Sequence, residues 1–138
     1  MSAAFTLDPR LAAESFRLGR LSLCEVLLFN DARFPWLILV PALPGLVEIL
    51  DLDEAGQTRL MREIALAARA LKAVTNCHKL NVAALGNQVR QLHVHAIARF
   101  ENDAAWPNPV WGRGTRTPYD AQAAAEFAQR IKTAIGLR

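Results

Sequence analysis

Two of the three histidines, His93 and His95, stand with one residue between them in the segment "RQLHVHAIARF", the first of them two positions after Gln91. Read as a strand, this segment points Gln91, His93, His95 and Ile97 to one face. Leu92, Val94, Ala96, Ala98 and Phe100 then share the other, which is wholly apolar and must face the core. The two imidazoles lie side by side, with Cα atoms about 6.5 Å apart. Such a pair has three chemical uses: binding one anion, sharing one metal ion, or dividing nucleophile and acid between its members. For a metal, Glu101 has the right parity to be a third ligand, but it is about 20 Å along an extended strand from His95. For nucleophilic catalysis at a phosphate, a neutral imidazole attacks phosphorus while an acceptor on its other nitrogen fixes the tautomer. The turn "GNQVR" just before the strand offers Asn87 and Gln88 as donors to a developing charge. His78 falls at the end of a long helical pattern, where a partial positive charge suits the helix dipole, and reads as structural.

The elements that must position this pair come in a definite order. Pro9 to Leu18 reads as a short opening helix, "CEVLLFND" as a strand closed by Asn30-Asp31, and "PWLILVPALPG" as a continuous apolar strand, the two forming a buried hairpin. Asp51 and Glu54 have the spacing of a capping box, and Leu60, Ile64, Ala67, Leu71 and Val74 recur at three and four, predicting a long helix to about Asn76. "KLNVAALG" returns to strand and pairs with the histidine strand as a second hairpin. Residues 101–118, rich in Pro, Gly and Asn, read as a long loop anchored by Trp106 and Trp111. Thr117-Pro118 opens a last helix with an apolar stripe of Ala124, Phe127, Ile131 and Ala134. The order suits an α+β meander with helices on one face.

Composition bounds the rest. With 138 residues and 52% hydrophobic content the chain is sized for one domain, residues 1–138, needing no disulfides. Its net charge of +3 comes from scattered basic residues, compatible with a phosphate-bearing ligand but not demanding nucleic acid. Cys24 and Cys77 have no metal-like spacing and suit a reducing compartment. Asp8 and Arg10 interrupt what a secretory signal would need, and no segment has the length of a membrane span, so a cytoplasmic protein without membrane or nucleic-acid partners is expected.

"QLHVHAI" resembles the motif of the histidine triad (HIT) superfamily of nucleotide hydrolases and transferases, His-φ-His-φ-His-φ-φ with φ apolar, with Gln91 at the first histidine position. The resemblance extends to "LLFNDARFPWLILVPALPG" as the nucleoside-binding hairpin, "ILDLDEAGQTRLMREI" as the central helix and "KLNVAALGNQVRQLHVH" as the catalytic hairpin. It implies a five-stranded antiparallel sheet with a long central helix and a C-terminal helix, the sheet extended across a homodimer. It implies a purine nucleotide substrate, cleaved at the α-phosphate without a metal or other cofactor. The conjugate would be a phosphoramidate, a phosphoanhydride or a dinucleoside polyphosphate. His93 matches the nucleophile and His95 the phosphate contact, while the backbone carbonyl of Gln91 still serves the ring of His93. Asn30 or Asp31 is the candidate for the ribose hydroxyls, Phe34, Leu37 and Leu39 for the base, Asn87 and Gln88 for phosphate, and Trp106 for a contact with the partner's site. This sequence departs from the family pattern at Gln91, at Trp36 where many members have a histidine, and in a shorter turn at Leu85-Gly86-Asn87. Fewer imidazoles imply slower or narrower chemistry. They leave open a nucleotide-binding module without turnover and, further off, a metal-dependent enzyme using His93 and His95 as ligands.

Overall fold

A computed structural model describes residues 4–137. Helix α1 (Pro9–Ala13) is followed by strands β1 (Ser15–Arg20), β2 (Cys24–Phe29) and β3 (Trp36–Pro41), helix α2 (Glu54–Thr75), strands β4 (Lys79–Ala83) and β5 (Val94–Arg99), and helix α3 (Ala121–Ile135). All strands pair antiparallel in one sheet of order β1-β2-β3-β5-β4. The β2–β3 and β4–β5 hairpins expected from the sequence are both present, and β3 joins them by pairing with β5.

The fifth strand, β1, occupies part of the segment read as an opening helix. That helix ends at Ala13, where Glu14 caps it, because Phe16 and Leu18 alternate with polar residues and Leu18 is buried against the sheet. Strand period therefore takes over within two residues of the cap.

Each sheet face carries its own apolar cluster. On one side Leu37, Leu39, Val94 and Ala96 meet Leu60, Ile64, Ala67 and Leu71 of α2 and Ile131 of α3. On the other, Trp36, Ile38 and Ile97 are covered by Leu7 and Leu11 of the N-terminal segment and by Ala105 and Val110 of the long loop. Helices α2 and α3 thus share one face as expected, but α1 and the loop roof the other, and a cleft lies beneath that second cover.

Helix α2 starts two residues later than the Asp51–Glu54 spacing suggests. Its cap is Asp53, whose carboxylate accepts from the Gly56 N–H at 2.8 Å, while Asp51 closes a separate 3-10 turn (Ile49–Asp51) by accepting from the Val47 and Glu48 N–H groups. The far end is capped by Asn76 in the left-handed conformation. In α3, capped by Asp120, the stripe uses Ile135 rather than Ala134, which is exposed. His78 lies beyond the helix end, exposed, its N–H donating to the Arg99 carbonyl at the start of the β4–β5 ladder.

Candidate active site

His93 and His95 sit on the same face of the sheet with ring centroids 4.9 Å apart, as the period of two requires. Both are buried, and both line a cleft of about 360 Å³. Its floor is Phe29, Trp36 and Ile38 on β2 and β3, its walls are Arg10 and Leu11 of α1 with the capping Glu14 on one side and Leu85 to Val89 of the turn on another, and Trp111 closes it.

The two rings are held in opposite ways. The Nδ1 of His93 lies 2.7 Å from the backbone carbonyl of Gln91. A carbonyl only accepts, so Nδ1 carries the hydrogen and Nε2 keeps a free lone pair. His95 is the reverse: its Nδ1 receives the indole N–H of Trp36 at 2.9 Å. An indole only donates, so the lone pair is on Nδ1 and the hydrogen on Nε2. Burial, and then the neighbouring His93, hold His95 neutral, with its pKa pushed down to about 3. The Trp36–His95 contact follows from the register. Ile38 opposes His95, so Trp36, two residues away on the same face, is its diagonal neighbour. Trp111 completes the enclosure, its ring edge-on to both His95 and Trp36 at 5.1 and 5.7 Å.

Gln91, at the first motif position, does not point its side chain at the histidines. Its Oε1 accepts from the Asp8 N–H and its Nε2 donates to the Thr6 carbonyl, both at 2.8 Å. The amide clamps the N-terminal segment against the β4–β5 hairpin, and that segment carries Arg10, Leu11 and Glu14 to the cleft.

The structure brings His93, His95, Asn87 and Gln88 together around the cleft. Other sequence candidates lie elsewhere. Leu37 and Leu39 belong to the opposite face, packed toward α2, because β3 alternates and Trp36 and Ile38 take the cleft side. Phe34 is fully buried behind Trp36, edge-on to it at 6.5 Å. Asp31 is buried and engaged by Arg33 through two side-chain contacts of 3.0 and 2.8 Å and by the Thr117 N–H. Burial alone would raise its pKa, but the Arg33 and Thr117 hydrogen bonds outweigh that and lower it. Asn30 accepts from the Tyr119 N–H at 2.8 Å. The pair therefore ties the β2–β3 connection to the segment entering α3, and neither residue lines the cleft.

Trp106 stands over the guanidinium of Arg99 at 5.7 Å, away from the cleft, and Trp111 is the tryptophan that reaches it. Arg99, at the end of the histidine strand, is buried and bonded to Asp103, to Asn81 and to the Asn108 carbonyl. Glu101 lies against His78, whose Nδ1 accepts from its backbone N–H at 3.4 Å. Among the described residues no three His, Cys, Asp or Glu side chains converge to hold a metal ion.

The sequence named Trp36 only as a departure from the family pattern and Trp111 only as a loop anchor, and gave no role to Ile38 or the α1 wall. The signal available for Trp36 was its register with the histidine strand. For Arg10 and Glu14 no local signal existed, because the Gln91 clamp joins segments 83 positions apart.

Comparison with known proteins agrees with the fold. The sequence profile of the HIT domain matches residues 10–102. A histidine triad protein of Bradyrhizobium japonicum superposes with a TM-score of 0.94 at 50% identity, covering 96% of this chain and 99% of its own. One from Marinobacter aquaeolei VT8 gives 0.94 at 41% identity, with 97% and 98% covered. One from Sinorhizobium meliloti 1021 gives 0.92 at 47% identity, with 94% and 96% covered. Among curated proteins none matches. Family membership supports nucleotide binding and hydrolase or transferase activity in general terms. With the HIT profile spanning both hairpins and α2, and with these close structural relatives, the chain belongs to the histidine triad family.

Proposed function

We propose that the protein is a nucleotide hydrolase or nucleotidyl transferase. It acts at the α-phosphate of a purine nucleotide conjugate through a covalent nucleotidyl-His93 intermediate. One observation carries the reading: the 2.7 Å bond between His93 Nδ1 and the Gln91 carbonyl leaves Nε2 unprotonated in a cleft of nucleotide size. His95 Nε2–H, Asn87 and Gln88 are the hydrogen-bond donors offered to the phosphoryl oxygens. The base is assigned to the aromatic and aliphatic wall of Phe29, Trp36, Ile38 and Trp111. Two free, buried cysteines fit a cytoplasmic setting. We assign the active unit as a homodimer paired through β4, an edge strand whose Val82 is 49% exposed. Trp106 is proposed to face the partner's site in that assembly.

A binding module without turnover is the second reading, favoured by Trp36 and Gln91, which leave only two imidazoles in the cleft. The test is cleavage of adenosine 5′-phosphate conjugates (a phosphoramidate, a dinucleoside polyphosphate) by the protein and by His93→Ala. Loss on the order of 10⁴-fold in the variant, with nucleotide affinity kept, supports catalysis at His93. Equal affinity in both proteins with no product from either supports the binding module.

A further inference from the structure

The cleft supplies hydrogen-bond donors but no acid. A neutral imidazole whose Nδ1 is free can gain a proton there and become a general acid. In His95 that nitrogen is already filled by the Trp36 indole N–H, and protonation would set two N–H groups facing each other in a buried site. The second motif departure removes another acid. Gln91 is a carboxamide with no proton to give near neutral pH, and both its polar atoms are engaged by Thr6 and Asp8. His93 is committed as nucleophile. The other ionisable groups on the cleft wall, Arg10 and Glu14, are engaged with each other in an ion pair at 3.9 Å.

We infer that Trp36 is a positioning residue. It locks His95 as a neutral Nε2–H donor and so makes the site select substrates by the acidity of their leaving group. The inference rests on the covalent reading above and narrows it. The favoured conjugates join the nucleotide through oxygen to an acid, as in an anhydride with a phosphate or a carboxylate. An aliphatic amine must be protonated as it departs and is therefore disfavoured.

The step balances without an added reagent. The Nε2 lone pair of His93 attacks the α-phosphorus, the bond to the leaving oxygen breaks, and its electron pair leaves with that oxygen as an anion. The His93 Nδ1–H stays on the Gln91 carbonyl throughout, and the Nε2–H of His95 stabilises charge on the phosphoryl oxygens without being transferred. Water then attacks phosphorus, its proton passes to bulk water, and the P–N electron pair returns to His93.

The test uses adenosine 5′-(aryl phosphate) diesters of phenols of graded acidity, together with the 5′-phosphoramidate of an aliphatic amine, in single turnover. With a loose transition state and no acid, the rate in the unaltered protein should fall by up to about tenfold per unit rise in phenol pKa. The aliphatic amine conjugate should be the poorest substrate. Trp36→Phe should flatten that dependence and add a rate increase toward low pH, since His95 Nδ1 becomes free to take a proton. The groups facing His95 when this profile is read are His93 just before β5, Trp111 of the loop, Arg10 of α1 and its capping Glu14. Because Trp36→Phe opens space in a buried cluster, a second measurement stands on the unaltered protein. The ¹⁵N spectrum of His95 should show a neutral ring protonated at Nε2 from pH 5 to 8. A flat dependence on leaving group, or a His95 ring that turns cationic near pH 6, overturns the inference. If none of the conjugates is cleaved, the covalent reading fails, while the ¹⁵N signal still decides the Trp36 assignment.

Discussion

At the residue scale, the two histidines are chemically distinct because each Nδ1 meets a group of opposite character, a carbonyl for His93 and an indole N–H for His95. The His95 arrangement has a consequence for stability. Its folded pKa lies near 3, against about 6.5 in the unfolded chain. Above that upper value both states hold the ring neutral. Below it the unfolded chain takes up a proton that the folded protein refuses. Stability therefore falls with pH between about 6.5 and 3, by up to about 1.4 kcal/mol per pH unit. Urea denaturation at pH 7, 6, 5 and 4 should show this slope, and His95→Gln should show less of it; equal slopes would contradict the account. Gln91→Ala should leave the His93 tautomer intact, because the contact is to backbone. It should raise KM far more than it lowers kcat, since the α1 wall loses its clamp, and cost about 1–3 kcal/mol of stability. Steady-state kinetics beside a urea titration checks both. The motif itself was legible because an apolar alternation isolates two histidines on one face. The tautomers were legible only for His93, whose partner is the backbone two residues before it. The partner of His95 is set by the register between β3 and β5, which no local pattern encodes.

Elements of the fold show where sequence patterns carry information and where they do not. Helix α2 was readable from its spacing of three and four, and Asp53→Ala at its cap should cost about 1 kcal/mol, measured as a shift in the urea midpoint. Strand β3 was readable as a strand, but its phase was not. All its residues are apolar and buried, so nothing in "WLILVP" distinguishes Leu37 and Leu39, which face α2, from Trp36 and Ile38, which face the cleft. Strand β1 was hidden for a related reason, because six residues with two arginines and a glycine give too short an alternation to separate from the helix before it. The loop from Glu101 to Pro118 was legible as a loop with aromatic anchors, but not its polar one. Asp103 accepts from buried Arg99 and from the Phe100, Ala105 and Trp106 N–H groups. Although burial opposes ionisation, these bonds hold its pKa down to about 2. Asp103→Asn should leave a buried guanidinium without its counter-charge. The expected cost is about 3 kcal/mol in urea unfolding, with a change in tryptophan fluorescence as the loop loses its hold on the cleft. A variant with unchanged stability and emission would show that the loop is held by its apolar contacts alone.

Across the whole molecule, a sheet with covers on both faces separates two tasks. One face, under α2 and α3, is a continuous apolar core; the other, under the N-terminal segment and the loop, leaves the cleft open above His93 and His95. The assembly proposed through β4 predicts a particle of twice the 15.2 kDa chain mass by light scattering, reduced toward one chain by Val82→Lys; a monomer in the unaltered protein would contradict the pairing. The central claim is that His93 becomes covalently nucleotidylated, and the most direct measurement is intact-protein mass after brief, acid-free quenching with an adenosine 5′-phosphate anhydride, beside His93→Ala. The account predicts one added nucleotidyl group on the unaltered protein and none on the variant. Product release with no adduct at any quench time, or an adduct of equal yield on His93→Ala, would contradict it.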